Sequence, residues 1–371
     1  MDNVTHTLFA LTLARTPFGR AGRGSTAALV LASNAPDIDF VAGLRGADAY
    51  LTWHRGPTHG ALGVVGLGVV VAAMVPMALR VARGLSRAQP EARGPDATFR
   101  ALVPVAIVGV LCHVLMDLPT SYGTRFLSPF NWHWFSVDWM PIVDIYLLAA
   151  LAAGLLFGAG SAVARRRNVA IVFALMTLDY GVRGLAHHAA LANAPRLFGP
   201  LLPQTCEPGA TASPVSYWPR TTLAKTREDG GRCLVGLAAL PTFVSPFRWS
   251  VVAHLSNAYE VQDINLLDRR FWKSPTEPEV LWRRAQRAPN LWTPAVWAAA
   301  SSPLARTFLG FYRFPWVRTT GDPSGVTTVR WGDLRFVGAR GSTFAPAPND
   351  LFSVIVRVAP DGSVVEERAG P

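Results

Sequence analysis

The run ALGVVGLGVVVAAMVPMAL at residues 61–79 contains no charged side chain, and residues 101–118 read ALVPVAIVGVLCHVLMDL. The second run is polar only at His113 and Asp117, close to its end. As a helix, each run is long enough to cross a hydrocarbon core of about 30 Å. The sequence therefore predicts a membrane protein with more than one spanning helix.

Further apolar segments extend this membrane region in both directions. Pro141–Gly160 and Asn168–Leu185 are expected to form a third and a fourth span, the latter interrupted by two charged residues. Val4–Leu13 and Thr26–Phe40 are shorter, and we expect a helical hairpin that crosses incompletely or at a steep tilt. No basic region precedes Val4, so we expect this first helix to be retained and not cleaved as a signal peptide.

Composition supports a membrane location over a nucleic-acid partner. Hydrophobic residues make up 50% of the 371 residues and charged residues 16%, against about 25% charged in a typical soluble domain. The formal charge of +11 comes almost entirely from arginine, since Lys225 and Lys273 are the only lysines. In the first half these arginines lie between apolar runs, where they act as topology signals. We expect membrane lipid, and no nucleic acid, as a partner.

The arginines predict an orientation in a bacterial inner membrane. Three basic clusters separate the apolar segments: Arg15, Arg20 and Arg23; Arg80, Arg83, Arg87, Arg93 and Arg100; Arg165, Arg166 and Arg167. If all three face the cytoplasm, the alternate connections face outward. Residues 1–6, 34–60, 117–140 and everything after about 190 would then be extracytoplasmic.

After residue 195 the pattern changes to short segments rich in β-branched and aromatic residues. Strands are predicted at Leu234–Leu240, Trp249–His254, Tyr259–Leu267, Val326–Val337 and Phe352–Val358, with a last strand after the turn at 359–362. Helices are predicted at Glu277–Arg287 and Pro294–Phe308. Cys206 and Cys233 can pair if this region lies in an oxidising compartment.

The predicted fold class is therefore mainly α. A polytopic helical membrane domain covers residues 1–190, and a β-rich, α+β extracytoplasmic domain covers residues 195–371.

Ionisable residues of the membrane half all fall at the predicted outer ends of its segments. They are His6, Asp37, Asp39, His54, Arg55, His59, His113, Asp117, Asp138 and Asp144. Ionisable groups in or beside membrane segments are costly and mark functional sites. His113 and Asp117 lie at i and i+4, on one helical face. Imidazole and carboxylate are ligands for Zn²⁺ and other divalent ions, although a plain His–Asp hydrogen bond is the alternative.

The remaining candidates lie in turns next to the spans. Asp37 and Asp39 follow Pro36, which ends a helix; an ordinary acidic loop is the alternative. Gly56 and Pro57 form a tight bend that allows His54 and His59 to converge. For Arg55 there are two alternatives: it binds a phosphate or carboxylate group, or it anchors the loop at the membrane interface. Asp138 and Asp144 are each a ligand, a partner that orients a histidine, or a general base.

These motifs, taken in order, resemble the YdjM family of inner-membrane-associated, metal-dependent hydrolases, which also carries a LexA-binding label. The matching stretches are Met1–His6, Ala35–Asp39, His54–His59, His113–Gly123 and Asp138–Asp144. The family is in turn similar to zinc-dependent phospholipase C and P1-type nucleases. This chain lacks their N-terminal Trp ligand and their further His and Glu spacing.

The resemblance implies metal ligation by His6, Asp37, His59, His113 and Asp117. Asp144 is a further metal candidate, whereas Asp39, Asp138, His54 and Arg55 are the catalytic candidates. The expected cofactor is a divalent metal, Zn²⁺ above others, with one to three ions.

Three functions are compatible with such a site. The first is a hydrolase for a phosphoester or lipid-linked substrate at the outer face of the membrane, in which Arg55 neutralises phosphate and a free carboxylate accepts a proton. The second is a non-enzymatic binding or regulatory protein whose metal is structural. The third is a transporter or proton relay, which is disfavoured because the ionisable groups do not extend across the bilayer.

Overall fold

A computed structural model describes eight ranges of the chain and divides it into two compact units. The described ranges are residues 1–85, 95–157, 161–198, 203–206, 215–219, 233–268, 285–336 and 352–370. The first unit comprises Met1–Val41 and Trp53–Gly184, and the second comprises Ala42–Thr52 and Leu185–Pro371. The short segment at 42–52 groups with the second unit, and the predicted division into residues 1–190 and 195–371 stays a prediction.

The described helices occur mainly before residue 200. They are α1 (Asn3–Leu13), α2 (Ser25–Ala32), α3 (Ala47–Trp53), α4 (Ala61–Leu85), α5 (Phe99–Asp117), α6 (Ile145–Leu156), α7 (Ala162–Ala192), α8 (Ala194–Phe198), α9 (Pro294–Ala300) and α10 (Pro303–Phe311). Short 3₁₀ helices occupy Pro17–Arg20 and Ala35–Arg45.

Three of the described helices are long and apolar enough to cross a membrane. They are Ala61–Arg83, Phe99–Asp117 and Ala162–Ala192, and a fourth span results if α2 and the 3₁₀ helix that follows it, bent by 44°, are counted together. Membrane helices at these positions were predicted from the sequence, and the structure confirms their length and apolar character.

The predicted span at Pro141–Gly160 is too long. Asp144 caps the helix by accepting hydrogen bonds from the backbone N–H groups of Tyr146 and Leu147, so α6 begins only at Ile145. It ends at Leu156, and residues 158–160 lie outside the described ranges. Its 12 residues extend about 18 Å, less than a hydrocarbon core.

Close packing of α2 against α5 positions the candidate site. A Cβ at Gly109 of α5 would lie 2.9 Å from the Cβ of Ala32 and 3.2 Å from the carbonyl oxygen of Leu29. Glycine is therefore required for this approach. Small buried side chains continue the contact, with Ala28, Ala32 and Ala106 in one core cluster.

The described strands lie mainly in the second unit. They are β1 (Trp134–Ser136), β2 (Ser216–Trp218), β3 (Leu234–Pro241), β4 (Arg248–Leu255), β5 (Ala258–Asn265), β6 (Gln286–Pro289), β7 (Pro315–Gly321), β8 (Thr327–Asp333), β9 (Val354–Val358) and β10 (Val364–Ala369). Eight of these strands form two four-stranded antiparallel sheets, one with the order β3-β4-β5-β6 and one with the order β10-β9-β8-β7. These sheets make "mainly α" too loose a description of the whole chain.

Most of the predicted strands are confirmed, with instructive exceptions. The helix predicted at Glu277–Arg287 lies outside the described residues up to 284, and its last residues belong to strand β6. The helix predicted at Pro294–Phe308 is broken into α9 and α10, because Ser302 caps a new helix that starts with Pro303. Strand β7 was not predicted, since PWVRTTG shows no clear alternation of apolar and polar residues.

A core of aliphatic and aromatic side chains anchors the first sheet of the second unit to the end of α7. Ala186 and Ala190 cluster with Trp249, Val251 and Ile264. Cys206 and Cys233 form a disulfide bond, the pairing that the sequence allowed. Cys112 in α5 is a free thiol.

Candidate metal centre

Four side chains from three segments of the first unit converge on one point. They are Asp37 in the 3₁₀ helix, His59 in the loop before α4, and His113 and Asp117 at the end of α5. Each offers one ligand atom, and the four atoms lie within 4.8 Å of one another. His59, His113 and Asp117 are fully buried, whereas the Asp37 side chain is 19% exposed.

The protonation state of His113 follows from its contact with a backbone carbonyl. Its Nδ1 lies 2.8 Å from the carbonyl oxygen of Ser33, directly after α2. A carbonyl oxygen can only accept, so Nδ1 must carry the proton. In the neutral ring, Nε2 then presents its lone pair to the other three residues.

A short chain of hydrogen bonds orients His59 in the same way. Its Nδ1 lies 3.1 Å from the hydroxyl of Thr58 and 3.4 Å from Oδ2 of Asp39. The Thr58 hydroxyl donates to that carboxylate oxygen at 3.2 Å, so its own oxygen is available to accept from Nδ1. Burial lowers the pKa of His59 to about 3, which leaves the ring neutral at pH 7 with its lone pair on Nε2.

The two Nε2 atoms lie 3.2 Å apart. With both Nδ1 atoms protonated, neither Nε2 has a proton to donate to the other. Each Nε2 also lies 3.6 Å from Oδ1 of Asp37 and 3.4–3.5 Å from Oδ2 of Asp117. Ligand atoms that share a tetrahedral Zn²⁺ at about 2.0–2.1 Å are separated by roughly 3.3–3.4 Å. The donor set and its spacing therefore fit a divalent cation.

Arg55 closes one side of this group. Its Nη2 lies 3.2 Å from Oδ2 of Asp117 and its Nη1 donates to the carbonyl oxygen of Gly123 at 2.9 Å. The guanidinium also lies over the Tyr122 ring, 4.7 Å from its centroid. Arg55 is 5% exposed, so its positive charge is buried beside the carboxylates and offsets one of the two negative charges of Asp37 and Asp117.

The loop that carries Arg55 and His59 depends on unusual backbone positions. Arg55 has φ of 49°, a left-handed conformation that is uncommon outside glycine and often occurs at functional sites. A Cβ at Gly60 would lie 2.0 Å from the carbonyl oxygen of Ser128. Glycine therefore lets this loop approach the segment after α5, just before α4 begins.

The relationships of the chain to known proteins agree with this architecture. The family model described as YdjM inner membrane protein matches residues 1–190, which is more than half of the chain. The chain belongs to this family. The match includes all four residues of the candidate metal centre, and it confirms the resemblance that the ordered motifs indicate.

One curated relative adds a second similarity. The chain is 30% identical over 129 residues to the uncharacterized protein YfhP of Bacillus subtilis, which is 34% of this chain and 35% of that protein. The aligned part thus spans about a third of the length of that relative. No solved structure matches the chain. The predicted similarity to zinc-dependent phospholipase C and P1-type nucleases stays a prediction.

In this YdjM-family chain, His6 lies beside the four-residue group. Its ring stacks on that of His113, with centroids 3.9 Å apart, and its Nε2 lies 3.4 Å from Oδ1 of Asp117. The amino group of Met1 also contacts that oxygen. Both ring nitrogens of His6 are buried without a hydrogen-bond partner among the described residues. Such buried polar atoms are uncommon in proteins, and a bound ion or water molecule is one explanation for them.

Two further predicted site residues support the group from outside it. Asp39 accepts hydrogen bonds from the backbone N–H of Arg55 at 2.7 Å and from Thr58, and its Oδ1 lies 3.1 Å from Nδ1 of His54. Its oxygens therefore hold other residues in place. Burial lowers the pKa of His54, so this imidazole is neutral at pH 7.

Asp138 and Asp144 are not part of the four-residue group. Asp138 has φ of 64° and accepts a hydrogen bond from the hydroxyl of Ser136 at 2.6 Å. Asp144 caps α6 with one oxygen, and its other oxygen pairs with the buried Arg183 of α7. Because both of its oxygens are engaged there, the structure offers no support for the prediction that Asp144 is a metal ligand.

Sequence reasoning did not identify Ser33 or Thr58. Ser33 acts through its backbone carbonyl, which any residue possesses, so no sequence signal marks it. Thr58 stands within the quoted HRGPTH stretch, and only the fold shows that its hydroxyl links His59 to Asp39.

Proposed function

We propose that this protein is a membrane-bound, metal-dependent hydrolase that acts on a phosphoester or lipid-linked substrate at the outer face of the inner membrane. The observation that carries the proposal is the pair of Nε2 lone pairs of His59 and His113, 3.2 Å apart and flanked by two carboxylates. Buried acceptors are placed together in this way when a cation binds them.

Asp37, His59, His113 and Asp117 would hold the ion, and His6 is available to a second one beside Asp117. A bound Zn²⁺ supplies a water molecule of lowered pKa and polarises a phosphoryl oxygen. Zn²⁺ is proposed because two imidazoles and two carboxylates suit its tetrahedral preference.

Substrate would approach from the side of Asp37, the one partly exposed member of the group. The Arg55 guanidinium, already beside Asp117, would bind a phosphoryl oxygen and orient the phosphoester. We assign the proton-accepting role to His54. Its Nδ1 donates to Asp39, so Nε2 of the neutral ring has a lone pair for a proton.

Metal analysis of the purified protein in detergent tests whether the four-residue group binds a metal ion. We expect about one bound Zn²⁺ per chain in a four-ligand site, lost in His113→Ala. His188→Ala is the matched control, because His188 is an exposed histidine of α7. Protein that remains metal-free after incubation with Zn²⁺, Mn²⁺ and Co²⁺ would contradict the proposal.

Hydrolysis assays test whether the metal-loaded protein is an enzyme. Bis-p-nitrophenyl phosphate and phospholipid vesicles serve as substrates, and we expect turnover that chelation abolishes and Zn²⁺ restores. His113→Ala should be inactive and His188→Ala active.

A non-enzymatic role with a structural metal is the second candidate, and one observation favours it. Three of the four candidate ligands are fully buried, and four protein ligands can fill a tetrahedral site. Substitution with Co²⁺ separates the two functions. A visible spectrum that shifts when azide or phosphate is added indicates an open coordination position, whereas an unchanged spectrum with no turnover indicates a structural site.

The side of the membrane is a separate part of the proposal. The arginine clusters support an extracytoplasmic site and second unit. Alkaline phosphatase and fluorescent-protein fusions after Arg100, Arg167 and Pro371 test it. We expect cytoplasmic signals at Arg100 and Arg167 and an external signal at Pro371; an external signal at Arg100 would overturn the orientation.

A further inference from the structure

The candidate metal centre lies where two membrane-spanning helices of the first unit end. Helix α4 begins two residues after His59, and α5 ends at Asp117. The two helices run antiparallel, because His59 contacts His113 near the end of α5, whereas a Cβ at Gly68, farther along α4, would touch Ile107, earlier in α5. The 19 residues of α5 extend about 28 Å, close to the thickness of a hydrocarbon core. Asp117 therefore lies at a boundary of the core, the level at which membrane lipids carry their phosphate groups.

Apolar side chains face outward at the level of the metal centre. Leu62, in the first turn of α4, is 59% exposed, and Leu115, between His113 and Asp117 in α5, is 55% exposed. His113 and Asp117 themselves are fully buried. The same turn of α5 thus presents candidate ligands inward and an apolar side chain outward. Because exposed apolar faces of spanning helices contact lipid chains, these chains reach the level of the candidate ligands.

Five large apolar side chains beside the metal centre are exposed. In the 3₁₀ helix, two of them alternate with Asp37 and Asp39, whose carboxylates face the centre. The five residues form a surface that we call the apolar rim, which comprises Ile38, Phe40, Trp53, Phe130 and Trp132. Single exposed apolar residues are common on proteins, but several beside one site indicate a surface that binds an apolar partner. Tryptophan is moreover enriched where a membrane protein leaves the hydrocarbon core.

Contacts within the first unit connect the rim to the metal centre. Nδ1 of His54 lies 3.1 Å from Oδ1 of Asp39, so the adjacent Trp53 is held beside the 3₁₀ helix. The rings of Trp53 and Trp132 meet edge to face, with centroids 6.1 Å apart. A Cβ at Gly56 would lie 3.3 Å from the Trp132 ring, so this tryptophan also packs against the loop before α4. The rim and the candidate ligands therefore lie on the same part of the first unit.

The stretches of chain that form the rim expose little positive charge. Residues 127–134 contain no Asp, Glu, Lys or Arg, and Arg55 is the only lysine or arginine between residues 53 and 60. Arg55 is buried between Asp117 and Tyr122. A soluble anion is attracted to a site by exposed positive charge, which these described stretches do not provide. An amphiphilic molecule gains instead from contact between its apolar part and the rim.

From the depth of the metal centre and the apolar rim we infer that the substrate is a membrane lipid that carries a phosphate group, and not a soluble phosphoester. This inference rests on the function proposed above and names its substrate class. The phosphate group reaches Asp37 and Arg55, while the apolar chain lies against the rim. Because the lipid phosphates and the metal centre share one depth, the lipid is not withdrawn from the bilayer, and its chains are not exposed to water.

Binding of alkyl phosphates to the Co²⁺-loaded, full-length protein in lipid nanodiscs tests this inference. Ethyl phosphate and octyl phosphate carry the same charged group and differ in chain length, and the visible spectrum of Co²⁺ reports their binding without turnover. The rim variants are Phe40→Ser and Phe130→Ser. Val81→Ser is the matched control, because Val81 is 58% exposed at the opposite end of α4. Octyl phosphate partitions equally into all these nanodiscs, so a difference between variants reports the rim.

Burial of one CH₂ group improves affinity roughly fourfold, so partial contact of the octyl chain should make octyl phosphate bind about tenfold or more tightly than ethyl phosphate. We expect this ratio in the wild type and in Val81→Ser, and a several-fold smaller ratio in Phe40→Ser and Phe130→Ser. Equal affinities in the wild type, or an unchanged ratio in both rim variants, would overturn the inference and leave the proposed hydrolase intact. A protein that binds no Co²⁺, or a spectrum that responds to neither phosphate, would contradict the proposed function and the inference together.

Discussion

The Nδ1 atom of His113 lies 2.8 Å from the carbonyl oxygen of Ser33, across the interface between α5 and the end of α2. This contact fixes the tautomer of His113 and aims Nε2 at Asp37, His59 and Asp117. It exists because Gly109, one helical turn before His113, lets α2 and α5 approach closely. The packing of two helices thus determines the geometry of the candidate metal centre.

Gly109→Ala tests this relationship. The added Cβ would lie 2.9 Å from that of Ala32, which forces the helices apart and weakens the His113–Ser33 hydrogen bond. Loss of such an orienting contact typically lowers metal affinity about 10- to 100-fold, and we expect a decrease in that range in competition titrations with a chelator. Gly66→Ala on α4 is the control, since a Cβ there has nothing within 4 Å. Equal affinities in the two variants would disprove the coupling.

Asp39→Asn tests the hydrogen-bond chain to His59. The amide keeps the size of the side chain but loses the charge that attracts Nδ1–H of His59 and of His54. We expect metal affinity to fall about 10-fold or more while the saturated protein still binds the same amount of metal. Asp48→Asn, at an exposed aspartate of α3, should leave the affinity unchanged. Complete loss of metal would instead make Asp39 a ligand.

Arg55→Gln should affect cation and anion binding in opposite directions. Removal of the guanidinium beside Asp117 eliminates a competing positive charge, so divalent metal should bind at least as tightly. Inorganic phosphate, tested as an inhibitor of hydrolysis, should bind about 10-fold or more weakly, because hydrogen bonds to charged groups contribute about 1.5–3 kcal/mol. Arg287→Gln in the second unit controls for the change in net charge. Phosphate inhibition equal to wild type would leave Arg55 without a role in substrate binding.

The metal-free protein should lose stability as pH falls below about 6.5. Burial lowers the pKa of His59 to about 3 in the folded state, whereas the unfolded chain has the ordinary value of about 6.5. Between these values the unfolded state binds a proton that folded His59 does not, so the free energy of unfolding falls as the pH decreases, by at most roughly 1 kcal/mol per pH unit. Thermal unfolding in detergent between pH 7.5 and 5 measures this slope. It should be shallower in His59→Gln and unchanged in His188→Ala.

The predictions from sequence agree with the structure where a short local pattern is sufficient to predict a helix or a site residue. The uncharged run at 61–79 predicted α4, and the i, i+4 pair of His113 and Asp117 predicted two of the four converging residues. Asp144 shows the limit of such reasoning. A carboxylate at the start of an apolar helix fits a metal ligand or a cap equally well in sequence, and only the fold shows it capping α6 and pairing with Arg183.

The other differences come from features that hydropathy and residue identity do not record. The predicted span at 141–160 was counted from hydropathy, which does not register a cap that delays the start of the helix until Ile145. The role of Ser33 depends on its backbone carbonyl and on helix packing, and the residue type predicts neither of them.

The Cys206–Cys233 bond leads to the last prediction, which concerns both stability and location. The two cysteines are 27 residues apart in sequence, and closing a loop of that size stabilises a fold by about 3–4 kcal/mol in the chain-entropy account. Cys206→Ser should therefore lower the unfolding temperature of the second unit, whereas Cys112→Ser, at the free thiol, should have little effect on it.

Thiol labelling in intact cells links this bond to topology. Disulfides persist in the bacterial periplasm and are reduced in the cytosol. If the second unit is extracytoplasmic, protein from intact cells that are denatured without reductant in the presence of an alkylating reagent should show one reactive thiol, that of Cys112, among its three cysteines. Three reactive thiols would mean that the bond is absent in cells, and would remove the support that an oxidised Cys206–Cys233 pair gives to the outward orientation.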